Sequence, residues 1–188
     1  MITRPQHARI PPLGEDERDD GQRRLLAALR PRPDGSELNI FATLARHPEL
    51  MRKWLPFGGY LLAAGELPAR DREIVTLRTA VNCGSDYEWG QHVAIGAAAG
   101  LTDDEIRRVV SGPDDQAWAP FDAALLRAAD ELHKWSRIQD ATWEVLASAY
   151  SDRQLIELCM LAGQYHLVAF ALNSLGVQRE PGVVGLPS

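Results

Sequence analysis

Glu73-Ile74-Val75-Thr76-Leu77-Arg78-Thr79-Ala80-Val81-Asn82-Cys83-Gly84-Ser85-Asp86-Tyr87-Glu88-Trp89-Gly90-Gln91-His92 is the stretch on which the reading of this chain turns. Ile74, Leu77 and Val81 share a stripe at helical spacing, and Pro68 suits the first turn of a helix running to about Asn82. Asn82-Cys83-Gly84 reads as the C-terminal cap of that helix, and Ser85 as the N-cap of another through about Ala99. One helix-turn-helix thus gathers the carboxylates of Glu73 and Glu88 with an imidazole, a guanidinium and two aromatics. Glu88 and His92 lie four residues apart, so they share a helix face.

Helical signals continue on both sides. Leu38, Phe41, Leu44 and Ala45 repeat at helical spacing before His47-Pro48, and Leu50 to Ala64 predicts another helix in which Pro56 marks a kink or an early boundary. Gln22 to Arg30 predicts a short helix ended by Pro31-Arg32-Pro33-Asp34-Gly35. Downstream, Thr102-x-x-Glu105 is a capping box for a helix ending near Ser111-Gly112-Pro113. Phe121 to Trp135 and Thr142 to Ala149 read as two more, and Ser151-x-x-Gln154 caps a long last helix that buries Leu155, Leu158, Cys159, Ala162 and Ala169. No convincing strand alternation interrupts them, so the class is all-α. The expected division is an arm with a short helix over residues 1–35 and a single helical domain over residues 36–188, the arm lying on the surface or on a neighbouring subunit.

With 188 residues, 45% of them hydrophobic, the chain can build a core without metal or disulfide staples. A net charge of −6 with no Lys/Arg run argues against a nucleic-acid or anionic-membrane partner. Cys83 and Cys159 form no disulfide framework and fit a reducing compartment. The Pro-rich, charged N-terminus lacks the apolar core of a signal peptide, and no apolar run reaches spanning length uninterrupted. A cytoplasmic protein is expected.

Two roles are open for Glu88. Ser85-x-x-Glu88 matches a capping box, in which the carboxylate returns to the N-cap amide; beside His92 it is equally placed for proton transfer. Antiparallel packing about the Cys83-Gly84 turn would bring Glu73 to His92, fixing the tautomer and raising the basicity of the imidazole. Arg78, with Arg70 and Arg72 on the same helix, is a candidate clamp for a substrate carboxylate, against the alternative of a structural salt bridge. Tyr87 and Trp89 are candidate pocket walls or packing residues. Glu88 and His92 have helical ligand spacing, with His133, His166 or Glu73 as a third donor, but no recognised metal motif is present and no metal site is expected. There is no phosphate-binding loop and no nucleophile elbow.

The Leu67-Pro68-Ala69-Arg70-Asp71-Arg72-Glu73 run, the Leu77-Arg78 pair and Tyr87-Glu88-Trp89-Gly90-Gln91-His92 resemble the carboxymuconolactone decarboxylase family of the AhpD-like superfamily, most clearly over residues 38–111. The resemblance implies an AhpD-like helical bundle, assembly into trimers or hexamers, and sites near subunit interfaces. In the redox branch a Cys-x-x-Cys is followed by a His, with a Glu on the preceding helix as proton relay. That Glu falls on Glu73 and the His on His92, while the cysteine positions fall on Ser85 and Glu88, which cannot form a disulfide. The decarboxylase branch is the closer likeness. It implies loss of carbon dioxide from a small anionic, carboxylated lactone without metal or organic cofactor. His92 would transfer the proton, Glu88 and Glu73 would tune or relay it, and Arg78, Tyr87, Trp89 and Ser85 would contact substrate. The alternatives are a peroxide- or thiol-linked antioxidant protein, disfavoured by the missing Cys-x-x-Cys, and a non-catalytic oligomeric binding protein.

Overall fold

The computed structural model describes residues 5–29 and 35–187. The arm opens with a 3-10 turn, Glu15–Glu17, followed by helices α1 (Asp20–Ala27), α2 (Asn39–Leu44), α3 (Pro48–Ala63), α4 (Ala69–Asn82), α5 (Asp86–Ala98), α6 (Asp103–Ser111), α7 (Pro120–Trp135), α8 (Asp140–Ala147) and α9 (Asp152–Leu175). No strand occurs among the described residues. α3 runs through Pro56 without a break. All of the Pro31–Gly35 breaker except Gly35 lies outside the described residues, as does Arg30.

α4 is the central element, packed on α5, α6, α7 and α9. Ile74, Val75, Leu77 and Ala80 are wholly withdrawn from water, and so are Glu73, Thr76 and Thr79 on its other faces. Through Glu73–Leu77, Thr79 and Ala80 the helix has no contact with solvent, so the polar residues there must find a partner or a purpose, while Arg70, Arg72 and Arg78 stay partly exposed. Around it Leu125, Leu126, Leu158 and Leu161 complete the core, each such side chain contributing roughly 1.5–3 kcal/mol of transfer free energy.

The turn after α4 is a Schellman cap. The Ser85 amide donates to Ala80 O at 2.8 Å and the Gly84 amide to Val81 O at 3.0 Å, with Gly84 at φ +58°. The turn is pinned to α9 by Asn173, whose Nδ2 donates to Cys83 O at 2.9 Å. The capping boxes expected at Thr102/Glu105 and Ser151/Gln154 both form.

The arm lies on its own chain rather than standing clear. The Arg9 amide donates to Leu175 O, Leu13 to Ala42 O, and Leu13 and Leu26 bury against Ala45 and Met51. At the other terminus Glu180 accepts from the Asn39 amide (2.7 Å), Tyr87 OH (2.6 Å) and Gln91 Nε2 (2.6 Å). The tail then crosses α5 at Gly90, where a Cβ would stand 2.4 Å from Val184 O.

Candidate active site

The Schellman turn folds α5 back along α4 and delivers the contact on which the acid–base reading depends. His92 Nδ1 lies 2.7 Å from Glu73 Oε2, and Arg72 Nε donates to the other oxygen, Oε1, at 2.9 Å. Burial pushes the Glu73 carboxyl up, but the charge and hydrogen bond of His92, with those of Arg72, outweigh it and hold Glu73 below its ordinary range. An ionised Glu73 takes the Nδ1 proton as acceptor, leaving His92 Nε2 as the reactive nitrogen. Tyr165 of α9 meets the imidazole edge-to-face at 4.8 Å between ring centres.

Glu88 is 2% exposed, and neither carboxylate oxygen has a hydrogen-bond partner among the described residues. The expected capping box is absent: Ser85 makes no side-chain cap, and its own buried Oγ is unpaired. Burial alone raises the Glu88 carboxyl well above its ordinary value, because an ion there would lose its hydration with nothing in return. One cluster thus holds an ionised carboxylate at Glu73 and a neutral carboxyl at Glu88. Burial, then the charge of Glu73, raises the Tyr165 phenol, and Glu88 adds to the shift only once it ionises.

The other expected contacts fall elsewhere. Arg78 is held by Asp130 through two bonds, Nε–Oδ1 at 2.6 Å and Nη2–Oδ2 at 2.9 Å, and its Nη1 donates to Val109 O and Val110 O at the end of α6. That geometry makes it a structural brace and leaves it ill suited to clamp a substrate. Arg70 likewise ties α4 to Asp122 and Glu105. Arg72 is the cation beside the pair, and only its Nε is bonded to protein among the described residues. Tyr87 is occupied by Glu180 and the Ile40 amide, and Trp89 is in the core, so both serve packing.

Tyr165 was not picked out from sequence. Its place three residues after Ala162 and four before Ala169 puts a phenol on the apolar stripe of α9, which was the available signal. Two surface cavities, of about 470 and 480 Å³, lie away from the cluster, one along the C-terminal tail and one between α2, α3 and α9.

A second group of side chains lies at the α4 turn. His133 Nδ1 is 3.0 Å from His166 Nε2, with stacked rings, and Cys83 Sγ is 4.0 Å from His133 Nδ1. Burial first, then Glu88 once it ionises, pushes the Cys83 thiol up to about 12. Cys83 and Cys159 are both free thiols.

Residues 48–131, from α3 into α7, match the model of the carboxymuconolactone decarboxylase family. Among solved structures, an uncharacterized peroxidase-related protein from Silicibacter sp. TM1040 superposes with a TM-score of 0.78 at 15% identity over 97% of each chain. An uncharacterized peroxidase-related protein with an alkylhydroperoxidase AhpD core, from Ralstonia eutropha JMP134, gives 0.76 at 22% identity over 92% of this chain and 93% of that one. The apo debrominase Bmp8 gives 0.71 at 14% identity over 92% of each. No match is found among curated proteins. At these identities the superpositions speak for the fold, and the family match reaches past the expected 38–111 into α7. Residues 48–131 thus match the carboxymuconolactone decarboxylase family within a helical fold like that of the AhpD-related structures.

Proposed function

We propose that the protein is a proton-transfer enzyme of the carboxy-lyase type, acting without an organic cofactor on a small carboxylated lactone. The observation that carries this reading is the divergence of two buried carboxyls: Glu73 ionised against His92, Glu88 neutral and unpartnered. Environments that push paired titratable groups apart mark out an acid and a base.

In the proposed step Arg72 holds a substrate carboxylate. The carbon–carbon bond to the departing carboxylate breaks and carbon dioxide leaves. The electron pair enters the conjugated lactone carbonyl, and neutral Glu88 donates a hydrogen bond to the resulting enolate oxygen. His92 delivers a proton to ring carbon and is reprotonated from water, with Glu73 stabilising the imidazolium throughout. Positioned acid–base groups of this kind supply about 10²–10⁴-fold each.

Thiol-peroxide chemistry has less support despite the peroxidase-related neighbours. Ser85 and Glu88 replace the cysteine pair, and a Cys83 thiol near 12 stays protonated at neutral pH, whereas a peroxide-reactive thiol must ionise.

Self-association belongs to the same proposal. Ile156, Met160, Leu167 and Phe170 form an exposed apolar stripe on α9 at spacings of four, seven and three residues, a repeat suited to a partner helix. Leu167→Glu is expected to lower the mass found by light scattering; an unchanged mass would remove this face from the assembly.

The direct test is ultraviolet-monitored turnover of carboxymuconolactone, with carbon dioxide release, by wild type, His92→Ala and Glu88→Gln. Turnover that collapses in both folded variants is the expected result. Full turnover in either variant would remove that residue from the chemistry, and no turnover by wild type would retire this substrate.

A further inference from the structure

Cys83, His133 and His166 come from the end of α4, from α7 and from α9, and play no part in the proton-transfer cluster. Their Sγ, Nδ1 and Nε2 atoms all lie within 4.8 Å of one another. We propose that they form a binding site for a zinc-class divalent metal ion, with three protein ligands and one position open to water.

The first argument is size. Zinc–nitrogen bonds of about 2.0–2.1 Å and zinc–sulfur bonds of about 2.3 Å at tetrahedral angles set ligand separations of roughly 3.3 Å between nitrogens and 3.6 Å between sulfur and nitrogen. The separations here are 3.0 Å between the imidazole nitrogens and 4.0 Å between Cys83 Sγ and His133 Nδ1. Both require adjustments of roughly 0.3–0.4 Å, and the third separation, Cys83 to His166, spans up to 4.8 Å and must close by roughly 1.2 Å, a movement shared among the side-chain torsions of the three residues.

The second is orientation. His166 Nδ1 lies 2.7 Å from Ala162 O one turn back on α9, and a carbonyl can only accept, so Nδ1 carries the hydrogen. The lone pair of His166 Nε2 is thereby turned toward His133 and Cys83. Metal-ligating histidines are held in this way, the distal nitrogen donating to a carbonyl or carboxylate. In the metal-free site the proton on His133 Nδ1 fills the gap, and a metal ion replaces it.

The third is rigidity. The Schellman turn fixes Cys83, and Asn173 ties its carbonyl to α9, the helix that carries His166. His133 is exposed, leaving the fourth position to solvent. Thiolate and imidazole donors favour zinc, cobalt or copper over magnesium or calcium. The three ligands are separated by 50 and 33 residues, which is why no metal motif is visible in the sequence.

The test is titration of chelator-treated, full-length protein with Co(II). The expected result is one equivalent bound, a thiolate-to-cobalt charge-transfer band in the near ultraviolet, intense tetrahedral d–d bands, and displacement of cobalt by zinc. Cys83→Ser should abolish the charge-transfer band, and His133→Gln, at an exposed position that leaves the fold intact, should weaken binding by about 100-fold or more, since losing an orienting partner alone costs 10–100-fold. Cys159→Ser should change nothing. Absence of the band at saturating cobalt, or its survival in Cys83→Ser, would overturn the proposal. The readout is independent of His92, so neither outcome bears on the proton-transfer reading.

Discussion

Glu157 on α9 and Glu88 on α5 are both withdrawn from water, 7% and 2% exposed, yet their surroundings are opposite. Glu157 accepts from the amides of Glu66 (2.8 Å) and Leu67 (3.1 Å), closing the loop that leads into α4. Gly65 leaves room for it, since a Cβ there would stand 2.1 Å from Glu157 Oε1. Glu131 is satisfied in the same way, by the Gln139 amide and the Thr142 hydroxyl. Glu88 has no partner for either oxygen among the described residues. A partnered buried carboxylate serves the fold; an unpartnered one costs stability and calls for an explanation outside the fold.

The comparison breaks most visibly in activity. Glu88→Gln keeps shape and removes the acidic proton, so turnover should fall by about 10²–10⁴-fold with unfolding midpoints at or above wild type near neutral pH. Glu157→Gln, once folded, should turn over normally. Equal losses in both would mean that Glu88 is not a special carboxyl.

Stability should show the reverse. Glu157→Ala strands two buried amides, each costing about 1–3 kcal/mol, and the loss is read from urea midpoints at constant slope. A change below about 0.5 kcal/mol, the usual range of a neutral surface substitution, would show that water takes over the role of Glu157.

The pH dependence sharpens the contrast within the cluster itself. Neutral Glu88 is compatible with the fold at all pH values below its raised folded value, but above about 4.5 the unfolded chain gains by ionising it. Its contribution is therefore complete in acid and declines as pH rises toward the folded value. Glu73, held low, has the opposite sign: its stabilisation is present above 4.5 and is lost as pH falls through the folded value. Urea unfolding between pH 3 and 8 should show Glu88→Gln gaining on wild type as pH rises above 4.5, by up to about 1.4 kcal/mol per unit, and the deficit of Glu73→Gln shrinking as pH falls below 4.5. Parallel profiles would contradict the assignment of the two protonation states.

The smallest expected effect separates the arginines. Arg72→Lys should raise KM for an anionic substrate about tenfold, roughly 1.4 kcal/mol, by losing the planar fork. Arg78→Lys should leave KM unchanged and lower stability through its Asp130 and α6 contacts. The reverse pattern would return the clamp to Arg78.

Much of this was legible in the sequence because it rests on local rules. Helical periodicity, Pro68, Gly84 and the Thr102 and Ser151 caps placed the helices, and the tight turn between α4 and α5 made a meeting of Glu73 and His92 an expectation that the structure had to decide. Local rules also misled. Ser85-x-x-Glu88 satisfies the pattern of a capping box, but Glu88 faces the interior and the box does not form. Arg78 looked available because Asp130, its partner, lies 52 residues away. Tyr165 was hidden in an apolar helix for the same reason.

The sequence by itself determined the all-helical class and the turn at Cys83-Gly84, since each depends on residues near one another along the chain, and it left the contact of Glu73 with His92 to the packing of α5 on α4. Tertiary structure alone decided which charges are partnered: Arg78 braced, Arg72 beside the acid–base pair, Glu157 satisfied, Glu88 left neutral, and Cys83 brought to His133 and His166. The physical reason is that solvation and partner geometry set the state of a polar group, and both are fixed by residues distant in sequence that only packing brings together.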